Sequence, residues 1–201
     1  MKKLPLLASV ALFSGLVAAR ADIIPTFTGT SGSQDQQSTI WSYTINITAE
    51  QNATTGDYFT IYDFGSFLPN SNSQPAGWTF SASLIGTTPS QTNPTDNPSL
   101  YNLTWTYSGA TISGASPAGQ NIGPFSVAVA GFDPEFQPPH QNGQFAAQGT
   151  LAQGPNAGSK VNNVGIVPVP AAIPEPSTLA LIIGTGGLGM FGRALARRRR
   201  V

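Results

Sequence analysis

The densest stretch of reactive side chains is Gly131 to Gly143, "GFDPEFQPPHQNG". Asp133 and Glu135 stand two residues apart, and His140, the single histidine of the chain, follows five residues later. Two carboxyl groups held about 5–9 Å apart can hydrolyse a glycosidic bond, one as acid and the other as base or nucleophile. The same oxygens could contribute to a calcium shell. Nothing nearby in sequence sets the two acids apart in pKa, and the D-x-D-x-D-G order of a calcium loop is missing. The stretch therefore reads as a solvated loop, and no catalytic or metal-ligating residue is assigned. His140 is also the only imidazole available to activate a serine, and there is no G-x-S-x-G elbow. With no cysteine, thiol catalysis, disulfides and thiolate metal sites are all excluded, and one histidine excludes a multi-histidine site within one chain. No cofactor is expected.

The elements that would position such groups show alternation of apolar and polar residues. In "TIWSYTINITAE", Trp41, Tyr43, Ile45 and Ile47 oppose Ser42, Thr44, Asn46 and Thr48. "GWTFSASLIG" repeats the pattern with Trp78, Phe80, Ala82 and Leu84, and "NLTWTYSG" with Leu103, Trp105 and Tyr107. Further strands are expected at Tyr58–Asp63, Phe125–Ala130, Gln144–Leu151 and Val161–Val167, separated by turn clusters such as 69–75 and 89–99. No helical period of any length precedes Thr178. About seven short strands, each with one apolar and one hydroxyl-rich face, predict an all-β antiparallel β-sandwich, with a closed barrel as the alternative. The three tryptophans could form a sugar-stacking platform, but each shares the phase of its strand's aliphatic residues, which predicts core packing. Asn46, Asn52 and Asn102 begin N-x-[ST] triplets, and glycans there would help a charge-poor surface stay soluble.

Charge is segregated along the 201 residues. Between Asp22 and Ile173 a single base, Lys160, faces eight acids, a net of −7, so the body has no clustered basic footprint for nucleic acid. The bases lie at the ends. "MKKLPLLASVALFSGLVAARAD" has two lysines, an apolar run and Ala19-Arg20-Ala21, the order of a secretory signal peptide over 1–21 with Ala19 and Ala21 as the signal-peptidase site. Thr178 to Ala196 carries one charge, Arg193. As a helix it would reach about 28 Å, close to the hydrocarbon thickness of a bilayer. Arg193, Arg197, Arg198, Arg199 and Arg200 form a stop-transfer signal that places that end in the cytoplasm and the body outside.

Pro174-Glu175-Pro176, the apolar span and the arginine tail together resemble the PEP-CTERM sorting signal of Gram-negative bacteria. The resemblance covers residues 174–201 and implies processing by an exosortase, an integral-membrane enzyme, in a host that commonly makes exopolysaccharide. It makes Pro174, Glu175 and Pro176 the recognised motif, as substrate. The prolines keep that motif out of a helix. The organisation expected is a signal peptide (1–21), a β-sandwich body (22–160), a Pro-rich spacer (161–173) and the sorting signal, comprising motif (174–176), single transmembrane helix (178–196) and basic tail (197–201). The function expected is that of an exported, non-enzymatic protein of the cell surface or biofilm matrix, structural or adhesive, passing through the inner membrane as a precursor. A carbohydrate-binding module for the host exopolysaccharide is the alternative, and a secreted hydrolase the third reading.

Overall fold

The computed structural model describes residues 23–32, 37–65, 67–114, 116–130 and 140–170, with His140 described in its backbone only. Asp133 and Glu135, the signal peptide, the sorting motif, the span and the arginine tail lie outside the described residues.

Ten strands are formed: β1 (Ile23–Gly32), β2 (Ser38–Ile47), β3 (Gln51–Ala53), β4 (Tyr58–Ile61), β5 (Trp78–Ser83), β6 (Asn102–Tyr107), β7 (Ile112–Ser113), β8 (Gln120–Ala130), β9 (His140–Leu151) and β10 (Lys160–Pro170). All pair antiparallel, in two sheets. One has the order β1-β2-β8; the other runs β5-β6-β4-β9-β3-β7, with β10 also on β9. Thr150 and Gln148 of β9 show how the larger sheet is built. Thr150 faces Asn52 on one side and Lys160 on the other, and Gln148 faces Tyr58 and Asn162. Strands β3 and β4 therefore share one edge of β9, while β10 occupies the other.

The sheets face each other across an aromatic core. Phe125 of β8 lies 5.1 Å from both Phe59 of β4 and Trp78 of β5, and 5.9 Å from Trp105 of β6. Phe59 stacks on Trp105 at 5.0 Å. Edge-to-face and offset contacts of this kind add about 0.5–1.5 kcal/mol each to the burial of the rings themselves. The alternation read in β2 is realised residue by residue: Trp41, Tyr43, Ile45 and Ile47 are buried, and the residues between them half-buried. This is a two-sheet antiparallel sandwich, and among the described residues no strand of one sheet pairs with a strand of the other, as a closed barrel requires.

Three features differ from the sequence reading. The strand expected at Val161–Val167 is formed and is longer, Lys160–Pro170, so β10 takes up 161–170 of the spacer expected over 161–173; it is paired residue for residue with β9 from Lys160↔Thr150 to Pro170↔His140. Val167 and Val169 are inside the core. The prolines that suggested a spacer are compatible with a strand at a sheet edge, where a missing N–H disrupts no ladder. Leu84, expected in the core phase of its strand, is 45% exposed because β5 ends at Ser83. Finally, β1 has no counterpart among the expected strands: Pro25 and a register shift between Phe27 and Gly29 hide its alternation.

The hydroxyl-rich face of β4 and β6 is not open to solvent. Thr60 and Thr104 are buried and bonded to each other at 2.9 Å. Thr60 Oγ1 donates to the Thr87 carbonyl at 2.8 Å, and the Tyr62 hydroxyl donates to the same oxygen at 2.9 Å. The long segment between β5 and β6 thus lies over the outer face of the sheet. Asp96 accepts from Gly86 N–H and the Asn102 amide, and Asp63 accepts from Asn97 N–H, tying that segment down.

Candidate functional site

Of the residues singled out for chemistry, His140 opens β9 opposite Pro170; its proposed carboxylate partners lie outside the described residues. The three tryptophans are brought together as core: Trp41 and Trp105 are wholly buried and Trp78 is 5% exposed. A tryptophan sugar platform is therefore ruled out. The N-x-[ST] asparagines sit within strands. Asn102 is buried and donates to Asp96, and Asn46 donates to the Ala118 carbonyl and to Asn121. Asn52 lies in β3 between β9 and β7. Glycans on Asn46 and Asn102 would require those bonds to break, so the folded body does not offer them as open acceptors.

Among the described residues the most enclosed charged group is Asp57, at the turn before β4. Its Oδ2 accepts from Thr54 N–H (2.8 Å), the Thr54 hydroxyl (3.1 Å) and the Thr150 hydroxyl (2.8 Å); its Oδ1 accepts from Lys160 Nζ at 2.6 Å. Lys160, the sole base of the body, also donates to the two threonine hydroxyls at 3.0 and 2.9 Å. Every oxygen of the carboxylate is engaged. The cluster therefore ties three elements together, the turn before β4, β9 and β10, and presents no unengaged nucleophile or base. Among the described residues no group of three or more His, Asp or Glu side chains is placed to hold a metal, and no helix is long and apolar enough to cross a membrane.

Among the described residues, a surface feature with binding character is an open groove of about 470 Å³ between β5 and the segment Phe67–Gln74. Phe67 and Phe80, both half-buried, and Trp78 and Ala82 supply its apolar lining. Asn70, Asn72 and Gln74 supply amides, while Thr79 and Ser81 line it from β5 with side chains in the opposite phase to Phe80. No charged residue lines it. The segment is held rigidly on β8: Ser73 and Ser126 exchange backbone bonds of 2.8 Å, and Leu68 N–H donates to Ala128 at 2.8 Å. Ser71 Oγ accepts from Ala128 N–H at 2.9 Å. Phe67 meets Phe80 at 6.0 Å and Tyr101 at 5.3 Å, so an aromatic row continues past the groove to Tyr101, which is 41% exposed. Sequence reasoning missed this site. Phe67 and the amides of 69–74 fall in a turn cluster with no period, and only its closure against β5 gives them a common direction.

The chain is thus an all-β protein of two packed antiparallel sheets. No family model matches it, and no curated protein does. A solved structure described as the collagen-binding subdomain ACE19 of the Enterococcus faecalis surface protein ACE aligns with 74% of this chain and 96% of that one. The identity is 13% and the TM-score 0.30, a likeness too slight to bear on fold or function.

Proposed function

We propose that this chain is an exported, non-enzymatic protein of the cell surface or biofilm matrix, delivered through its C-terminal Pro-Glu-Pro motif by an exosortase. The observation that carries the reading is the order of signals in the sequence: a secretory leader, a body, Pro174-Glu175-Pro176, an apolar span and an arginine run. The fold adds a constraint. Strand β10 ends at Pro170, so only residues 171–173 separate the body from the motif. Four residues from Pro170 to Pro174 reach at most about 14 Å even when fully extended. A membrane enzyme reading the motif would therefore work with the folded sandwich close to the bilayer surface.

The test is the intact mass of the protein from culture medium and from membranes of the producing cell. The expected product begins at Asp22 and lacks the span after the motif. Recovery solely as a membrane-bound form ending at Val201 would make the tail a plain anchor and overturn the reading.

A further inference from the structure

We propose that the groove between strand β5 and the Phe67–Gln74 segment binds a stretch of neutral polysaccharide. This deepens the matrix reading by naming the polymer the body holds, and rests on that reading only for where the polymer is met.

The lining selects the ligand class. A groove without a charged residue offers no partner to a carboxylate, sulfate, phosphate or ammonium group, and desolvating such a group without a partner is costly. The body's net charge of −7 further opposes an acidic polymer. The polar side chains that share the groove with its aromatic lining are three amides, Asn70, Asn72 and Gln74, each combining donors with an acceptor. A row of hydroxyls on a sugar, each both donor and acceptor, matches that set. Asn72 Nδ2 donates to Gln74 Oε1 at 2.9 Å, which fixes the two amides relative to each other and leaves the Asn72 carbonyl and the Gln74 NH₂ for a ligand. The side chain of Asn70 makes no hydrogen bond within the described residues. The apolar lining supplies the other half of sugar recognition: the C–H face of a pyranose packs against the electron-rich face of an aromatic ring. The groove is open rather than closed over, and the row from Phe80 through Phe67 to Tyr101 continues beyond it, which suits a chain of sugar units better than one. The bonds holding Leu68, Ser71 and Ser73 to β8 pre-order the wall, so little ordering is left to oppose binding.

The experiment uses the full chain in detergent micelles, passed over immobilised dextran, laminarin and galactomannan, with polygalacturonate as the charged comparison. At least one neutral glycan is expected to retain the protein, and polygalacturonate to retain none. Asn72 and Gln74 lie on the groove wall outside the core, so shortening either removes polar contacts without opening a cavity there. Asn72→Ala and Gln74→Ala are each expected to lower affinity tenfold or more at an unchanged melting temperature. Retention by none of the three neutral glycans, equal retention on polygalacturonate, or wild-type binding by Asn72→Ala and Gln74→Ala together would overturn the proposal. Because micellar full-length protein carries its tail whether or not a cell would process it, failure here leaves the sorting result untouched.

Discussion

Asp57 is fully enclosed, whereas its partner Lys160 is 41% exposed. The two ends of the pair therefore differ in what their removal does. Asp57→Ala strips an acceptor from Thr54 N–H, from two threonine hydroxyls and from the ammonium at once, and is expected to cost about 2–3 kcal/mol, below the range for fully buried pairs because Lys160 keeps water. Lys160→Ala leaves the carboxylate its three other bonds and is expected to cost about 1 kcal/mol. Chemical denaturation of the two variants checks the order; equal losses would mean the threonines contribute nothing. The tyrosines give a second residue-scale expectation. Burial pushes the hydroxyls of Tyr43, Tyr58 and Tyr62 above their ordinary value near 10, Tyr58 to about 12 with help from neighbouring Tyr62. Below pH 10 these tyrosines are neutral in both states. Above it the unfolded chain loses protons that the folded one keeps, so stability falls with rising pH, by about 1.4 kcal/mol per pH unit for each proton so retained and only until that hydroxyl titrates in the folded state. Unfolding titrations from pH 9 to 12 are expected to show this decline, and Tyr43→Phe to make it shallower by one proton. A flat profile would contradict the burial of these hydroxyls.

At the scale of elements, the sequence was most legible where one face of a strand is core and the other is not. Strand β2 could be read residue by residue, because its alternation matches its two environments. Strand β6 was located by the same signal, but its buried Thr104 was not foreseeable, since burial there comes from a loop folded over the sheet and not from the strand. The edges were hardest. In β1 a proline and a bulge break the period, and in β10 two prolines hide how far the strand expected from Val161 runs on. The tryptophan phases predicted the core, whereas the groove depends on a turn cluster meeting β5, a contact without a local pattern. Strand β10 also gives a direct test of where the body ends. Val169 is wholly buried and Ile166 is 68% exposed on the same strand. Val169→Asp places a carboxylate in the core without a partner and is expected to leave the protein unfolded and open to protease. Ile166→Lys is expected to change stability by less than about 0.5 kcal/mol. Were residues 161–170 only a spacer, limited proteolysis would show no difference between the two.

For the whole molecule, the segregation of charge makes processing visible without sequencing either end. The unprocessed chain is balanced, with nine bases, nine acids and an isoelectric point near 6.5. Eight of the nine bases lie at positions 1–20 and 193–200, in the two segments proposed to be removed. What remains has Lys160 alone against eight acids, or nine if Glu175 is retained. Its single ammonium is engaged with Asp57. The mature body is therefore expected to focus near pH 4, in the range where carboxyl groups titrate. Loss of the leader alone removes three bases, leaving six against nine acids; isoelectric focusing thus separates the precursor, the leader-free form and the fully processed form. The resulting net charge of about −7 also suits a body with few other charges and with exposed apolar residues such as Ile85 and Ile166, since like-charged copies repel one another at low salt. A strongly acidic form in the medium, with a leader-free intermediate confined to the membrane, is the expected pattern. A medium fraction still at the leader-free position would mean that the arginine tail travels with the body.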